Sequence, residues 1–333
     1  GQVRSRARRN GLDLALLRLI RKRRPRILRK RLGIEPERLV RGRRPGGGTG
    51  FRFEVGRTAV QRPLLCSAAL LALLCGCAGS SQDGPEASGT SLMDTTSSSG
   101  SAILLEPVDT MQHDPSCFTQ GLAFHDGLIY ESSGRYGVSY IEARDPATGE
   151  VVNSVPLPDT VFAEGIAFIG DTLYVITWLE GVVLMYRTPG LEYAGAMDYS
   201  GQGWGLASTG SSLIMSNGGD TLFWRDPTDF SITRRLPVTL DGHPVRLLNE
   251  LEHHDGLVFA NLWTTGLVAV IDTLDGTVRA LYDGSGLLSS AEAGEADVMN
   301  GIAWDPERGA FIVTGKLWPR SFIVGMEGGY PNE

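Results

Sequence analysis

Lysine all but vanishes from this 333-residue chain after residue 31, where only Lys316 remains. Cysteine is scarce too, at positions 66, 75, 77 and 117, with no CxxC pair repeated at zinc-site spacing. Neither a structural zinc site nor a disulfide framework is therefore expected in the second part of the chain. No tryptophan precedes residue 170, although the chain holds six. Glycine-rich phosphate loops and serine-centred nucleophile elbows are absent, which removes those reaction classes. Beyond residue 102 no stretch carries a long 3.6-residue apolar period, so an all-helical domain is excluded.

Charge divides the chain in two. Residues 1–62 hold 18 Arg and 2 Lys against 4 acids, a net of +16, whereas residues 63–333 carry a net of −23. The acidic part would repel nucleic acid and anionic lipid, so no nucleic-acid partner is expected. So acidic a surface also suits a domain kept soluble in high salt. Its Trp, Val, Leu and Ile are sufficient for a full core.

Arg57 and Arg62 precede the apolar run Leu64–Cys75. That run is too short for a permanent membrane helix and reads as the core of a secretory signal peptide over 55–77. Its end, Leu74-Cys75-Gly76-Cys77, resembles a bacterial lipobox, which makes Cys77 the lipidation site. An ordinary signal peptide cut nearby is the plainer reading. Ala78, rather than Asp, follows the cysteine and points to an exported lipoprotein of the outer membrane or cell surface. The Arg-rich segment 1–54 reads as translated upstream sequence, with the true start near Val55 or Val60. Residues 78–101 are Ser, Gly or Thr at 15 of 24 positions and read as a tether that cannot bury a core. The chemistry is assigned to 102–333, with the membrane touched only through the lipid anchor.

Within 102–333 the sequence repeats itself five times, in Gln120–Ser132, Glu164–Thr177, Trp204–Asn217, Asn249–Leu262 and Asn300–Thr314. Each repeat sets a short strand, a polar turn and a second strand in order. Four short strands per repeat of about 45 residues is the signature of a β-propeller. The expected fold is all-β, a five-bladed β-propeller. Its short last repeat leaves an open edge, which Ala102–Val108 is expected to close as an N-terminal strand.

The innermost strands of a propeller converge on its channel. The repeat anchors Gln120, Glu164, Trp204, Asn249 and Asn300 would thus share one pocket, where a ring of polar side chains points to a ligand. Second strands add Trp178, Trp263 and Lys316. A composition that avoids lysine yet keeps one beside Gly315 and Trp318 suggests a task for that amine, whose pKa can be moved. An ordinary surface lysine is the alternative.

Phe118-Thr-Gln-Gly-Leu, Phe162-Ala-Glu-Gly-Ile, Thr177-Trp178, Gly203-Trp-Gly-Leu, Leu248-Asn-Glu-Leu-Glu, Asn261-Leu-Trp263, Asn300-Gly-Ile-Ala and Thr314-Gly-Lys-Leu-Trp-Pro follow one another in order. Together, over about 102–327, they resemble the plant- and bacterial-type glutaminyl-peptide cyclotransferases. The resemblance implies a five-bladed propeller that converts N-terminal Gln of peptides or proteins to pyroglutamate and releases ammonia. That family is unrelated to the zinc-dependent α/β animal enzymes of the same activity. No metal or other cofactor is expected, and the enzyme is expected to act as a monomer. Glu164 is the expected proton shuttle, with Lys316, Asn249 and Gln120 as candidate donors to the developing oxyanion. Phe118, Phe162, Trp178, Trp204 and Trp263, with Asn300, are expected to hold the substrate.

The same ring would also serve a non-catalytic propeller that binds peptide or glycan, or a metal-dependent propeller hydrolase of the lactonase kind. His253-His254-Asp255 could pass for metal ligands, but adjacent strand residues point to opposite faces. Cys117 has no His at a motif position and reads as a buried structural thiol. Trp224 and Trp304 are assigned to blade cores.

Overall fold

The computed structural model describes residues 102–326. The Arg-rich segment 1–54, the signal peptide 55–77 with Cys77, the tether 78–101 and residues 327–333 lie outside the described residues. The chain enters the fold through two strands, β1 (Ile103–Leu104) and β2 (Pro107–Gln112). The first blade follows as β3 (Thr119–His125), β4 (Leu128–Ser133), β5 (Tyr140–Arg144) and β6 (Val151–Pro156). The second is β7 (Ala163–Ile169), β8 (Thr172–Thr177), β9 (Val182–Arg187) and β10 (Glu192–Asp198). The third comprises β11 (Leu206–Ser208), β12 (Leu213–Met215), β13 (Thr221–Arg225) and β14 (Ile232–Pro237).

A small hairpin, β15 (Thr239–Leu240) with β16 (His243–Pro244), leads to the fourth blade. That blade is β17 (Leu248–His254), β18 (Leu257–Leu262), β19 (Leu267–Asp272) and β20 (Val278–Asp283). A single helical turn, α1 (Ser290–Ala293), precedes the last three strands, β21 (Met299–Asp305), β22 (Ala310–Gly315) and β23 (Arg320–Val324). Inner strands β3, β7, β11, β17 and β21 touch in that order, and β21 returns to β3. The protein is a five-bladed β-propeller.

Closure differs from expectation in its residues. β2, not the 102–108 segment as a whole, pairs antiparallel with β23 and completes the fifth blade. Upstream, β1 runs parallel to β20 on the edge of blade four. Leu105 explains the split: its N–H donates to Asp283 O at 2.8 Å, and its buried side chain joins the core between blades four and five. The entering chain is thereby pinned to one blade before it crosses to the next, and the edges of both are covered.

Five hydrophobic clusters fill the five gaps between blades. Tyr130 and Ile166 meet between blades one and two, and Ile176 and Leu206 between two and three. Trp224 and Leu251 meet between three and four, Phe259 and Phe311 between four and five, and Leu122 and Ile312 between five and one. Trp304 packs against the cluster of Phe311. Period-2 alternation in the sequence thus supplies both faces of every blade.

The β17–β18 turn is Asp255-Gly256 at φ 48° and 77°, the positive pair that a two-residue hairpin requires. His254 is used in packing, its ring stacked 3.7 Å from that of Trp304. Cys117 is fully buried and burial pushes its thiol well above the ordinary value, so it is not a poised nucleophile.

Candidate active site

Four of the five repeat anchors stand in β-bulges. Pairing of the inner with the second strand slips between Thr119 and Gly121, Ala163 and Ile166, Leu248 and Leu251, and Met299 and Ile302. A bulge bends the strand and re-aims the side chain it carries. The bulges hold Gln120, Glu164, Asn249 and Asn300, all buried at the same end of the channel. Trp204 takes the matching place just before β11, and its carbonyl accepts from Gly165 N at 2.8 Å.

Neighbouring blades hold these anchors by their backbones. Ser132 Oγ donates to Glu164 O at 2.6 Å, Ser216 Oγ to Asn249 O at 2.6 Å, and Asn300 Nδ2 to Thr119 O at 3.1 Å. Gly165 and Gly205 permit the close approach: a Cβ on Gly205 would lie 1.9 Å from Asn249 O, and one on Gly165 2.4 Å from Leu206 N. Asn300 Nδ2 also donates to Gln120 O at 3.5 Å, so both of its hydrogens are engaged and its Oδ1 is left over. Asn300 Oδ1 and Gln120 Oε1 are buried and have no hydrogen-bond partner among the described residues, so both acceptors are available to a polar ligand.

Glu164 and Lys316 are the buried charges of this mouth, with no hydrogen bond between them among the described residues. Burial raises the Glu164 pKa well above the carboxylate range, the Lys316 ammonium pulls against that, and Glu180 reinforces it. Lys316 moves the other way: burial lowers its pKa, opposed by Glu164 and Asp297. A carboxyl group easily protonated beside an amine that easily loses its proton is suited to proton transfer.

The loop that carries Lys316 is fixed from several sides. Lys316 N donates to Val298 O at 3.0 Å, Asp297 N to Lys316 O at 2.8 Å, and Leu317 N to Cys117 O at 2.8 Å. His113 lies behind it, with Nδ1 2.6 Å from Trp318 O and Nε2 2.9 Å from Glu131 Oε1. Both partners are acceptors, so both nitrogens carry hydrogen and the ring is an imidazolium. Burial alone would lower the His113 pKa, but the charge and hydrogen bond of Glu131 outweigh it and carry it up to about 9.

Aromatic side chains form an arc over the mouth. Tyr136 meets Phe162 at 5.4 Å, and Phe162 meets Trp178 at 5.6 Å. Gln202 Oε1 then accepts from both Trp178 Nε1 and Trp204 Nε1, at 3.2 and 3.1 Å. Trp204 meets Trp263 edge to face at 5.3 Å, and Trp263 remains 38% exposed at the far end. Phe118 stands apart, with Lys316 Nζ 4.8 Å and Arg135 Cζ 4.4 Å from its ring centre.

Of the residues assigned to the site from sequence, Gln120, Glu164, Asn249 and Asn300 lie in the bulges with Trp204 at the matching place, Phe162, Trp178 and Trp263 lie in the arc, and Phe118 lies beside Lys316. The repeat did not reveal Tyr136, Glu180 or Gln202. Tyr136 donates to Glu180 Oε1 at 2.8 Å, and Glu180 Oε2 accepts from Phe162 N at 3.4 Å. All three lie in loops between strands, where the repeat carries no signal; only Gln202, between two glycines and just before Trp204, had a local one. Glu250 was visible inside a motif, but its role was not.

Among the described residues, two groups of side chains bring potential metal-ligand atoms within 4.8 Å of one another. In the first, His113, Cys117 and Glu131, both imidazole nitrogens are already committed as described. The second, His125, Asp126 and Asp171, lies on hairpin turns at the opposite end of the strands from the ring.

The family described as glutamine cyclotransferase matches residues 77–326 of this chain. A glutaminyl-peptide cyclotransferase from Arabidopsis thaliana is 36% identical over 229 residues, which cover 67% of this chain and 71% of the relative. The crystal structure of Myxococcus xanthus glutaminyl cyclase superposes with a TM-score of 0.63 at 35% identity, and covers 68% of this chain and 98% of that one. Five blades, and a family match that spans all of them, lead to one assignment: the chain belongs to the glutamine cyclotransferase family.

Proposed function

We propose that this chain is a glutaminyl-peptide cyclotransferase in which Glu164 moves the proton and no metal ion takes part. The observation that carries the reading is Glu164 itself, a buried carboxyl group with a raised pKa that faces Lys316. The substrate is a peptide or protein with N-terminal Gln, bound with its α-amine uncharged. As the α-nitrogen attacks the side-chain carbonyl carbon, a C–N bond forms and Glu164 takes the proton from that nitrogen. The carbonyl oxygen becomes an oxyanion, to which the Lys316 ammonium and the Asn249 amide donate. Glu164 then returns the proton to the former amide nitrogen, the old C–N bond breaks, and ammonia leaves with pyroglutamate on the peptide.

Gln120 Oε1, buried and free, is placed to accept from a substrate N–H, and Asn300 Oδ1 is a second such acceptor. Phe118, Phe162, Trp178, Trp204 and Trp263 hold the glutamine side chain folded toward its own amine. The enzyme works as a monomer, exported and held off a membrane surface by lipid on Cys77 through the tether 78–101. Support for that anchoring is the sequence Leu74-Cys75-Gly76-Cys77 behind its apolar run.

Ammonia release from a Gln-initiated dipeptide amide, with EDTA present throughout, tests the chemistry. Turnover that collapses in Glu164→Gln supports the whole reading, and turnover that survives the substitution removes the proton shuttle alone. Turnover restored only by added divalent cation overturns metal independence. No turnover at all from the folded domain overturns the enzyme. Mass spectrometry of the membrane-extracted N-terminus tests the anchor: an unmodified terminus overturns it.

A further inference from the structure

Beside the ring, between blades four and five, lies a cavity of about 380 Å³. It opens on the same mouth, since its walls are loops that leave from the site residues. Thr264 follows Trp263 directly, Trp318 follows Lys316 by two positions, and the β20–β21 connection from Gly284 to Val298 leads into Asn300. Those walls are built, not loose. Gly284 N donates to Gly266 O at 2.8 Å, Trp318 Nε1 to Asp297 O at 2.9 Å, and Ser289 with Glu292 forms a reciprocal cap on α1. Arg320 ties the same helix to β23 through an ion pair with Glu292.

The lining has a clear division. Leu288, Ala296 and Trp318 supply apolar surface, Thr264 and Ser285 supply hydroxyls, and Asp297 is its one charged side chain. A site of this kind takes an apolar group and rejects an anion.

Position decides which group that is. Glu164, which must meet the α-amine, belongs to blade two. In a ring of five blades the gap opposite blade two is the one between four and five, where the cavity lies. A substrate whose amine faces Glu164 sends the rest of its chain away from that carboxyl group and out of the mouth.

We propose that this cavity is the subsite for the residue that follows the N-terminal glutamine, and that it selects an apolar side chain of leucine or phenylalanine size over an acidic one. The inference rests on the cyclotransferase reading and adds a substrate preference to it. An apolar side chain here contributes binding that is equal in the ground and transition states, so its effect falls on KM.

The experiment compares kcat and KM for Gln-Gly, Gln-Leu, Gln-Phe and Gln-Glu amides. Wild-type enzyme is expected to favour Gln-Leu over Gln-Gly by about tenfold in kcat/KM, mainly through KM, with Gln-Glu the poorest. Ser285→Trp, at an exposed rim position, fills the cavity and removes the advantage of Gln-Leu over Gln-Gly. Leu288→Ala enlarges the cavity and moves the preference from Gln-Leu to Gln-Phe. Equal kcat/KM across the four substrates overturns the subsite and leaves the cyclotransferase standing. So does a preference that survives both substitutions. Wild-type enzyme that releases no ammonia from any of them overturns both readings.

Discussion

Glu250 Oε2 accepts the backbone N–H of Ile302 at 2.7 Å, from one blade to the next. Its other oxygen accepts from Leu122 N, two blades on, at 3.2 Å. Glu250 follows the anchor Asn249, where the other blades have Gly121, Gly165, Gly205 and Gly301. Fully buried, it straps blades four, five and one together just behind the ring that carries Gln120 and Asn300. Burial raises its pKa well above the ordinary carboxylate value, with the Leu122 N–H pulling against that.

Glu250→Gln is isosteric but turns an NH2 group against a backbone N–H. The lost acceptor is expected to cost about 1–3 kcal/mol, or roughly 5 °C in melting temperature for a domain of this size. Thermal unfolding by circular dichroism measures it; an unchanged Tm would show that the strap is not needed.

Proton transfer gives a second expectation. Glu164→Gln is expected to lower kcat by about 10²–10⁴-fold with little change in KM. Lys316→Met is expected to lower it by about 10²–10³-fold through the loss of an oxyanion donor. Steady-state ammonia release on one dipeptide amide reads both.

The pH–rate profile should carry the same pair. In kcat, read at saturating substrate so that titration of the free α-amine drops out, Glu164 acts first as a base, so the rate rises as it ionises, and its raised pKa moves that limb above the usual carboxylate range. Lys316 must stay charged, so its lowered pKa brings the alkaline fall below that of an ordinary lysine. An acid limb at the pH of a free glutamate would contradict the buried pair.

Stability has its own pH dependence through His113, raised from 6.5 to about 9 by Glu131 despite burial. Because the folded state holds this proton more tightly than the unfolded one, its contribution is complete below pH 6.5 and is lost as pH rises through about 9. Tm is therefore expected to decline over that window, and His113→Gln should flatten the decline. A slope unchanged in the variant would assign it to other groups.

Gln202 supplies a test of the aromatic arc. It is exposed, and its one carbonyl oxygen orients both Trp178 and Trp204. Gln202→Leu is expected to raise KM several-fold, about 1 kcal/mol for each lost hydrogen bond, with kcat and Tm nearly unchanged. Fluorescence of the tryptophans under titration with a Gln-peptide would follow the same loss.

The amino-acid sequence alone determined the number of blades and the anchors at 120, 164, 204, 249 and 300. Both are properties of a local pattern repeated along the chain, strand alternation between turn residues. It also singled out Lys316, since a composition nearly devoid of lysine makes the exception visible. Tertiary structure decided everything that depends on which distant segments meet. Closure by Pro107–Gln112 in place of 102–108 turned on where Leu105 could be buried, some 180 residues away from its partner Asp283. Tyr136, Glu180 and Gln202 entered the site from loops, whose residues are placed by the scaffold beneath them and carry no period of their own. Glu250 shows the division within a single residue: its side chain stood in a recognisable motif, yet its two hydrogen bonds run to blades that only the closed ring brings within reach.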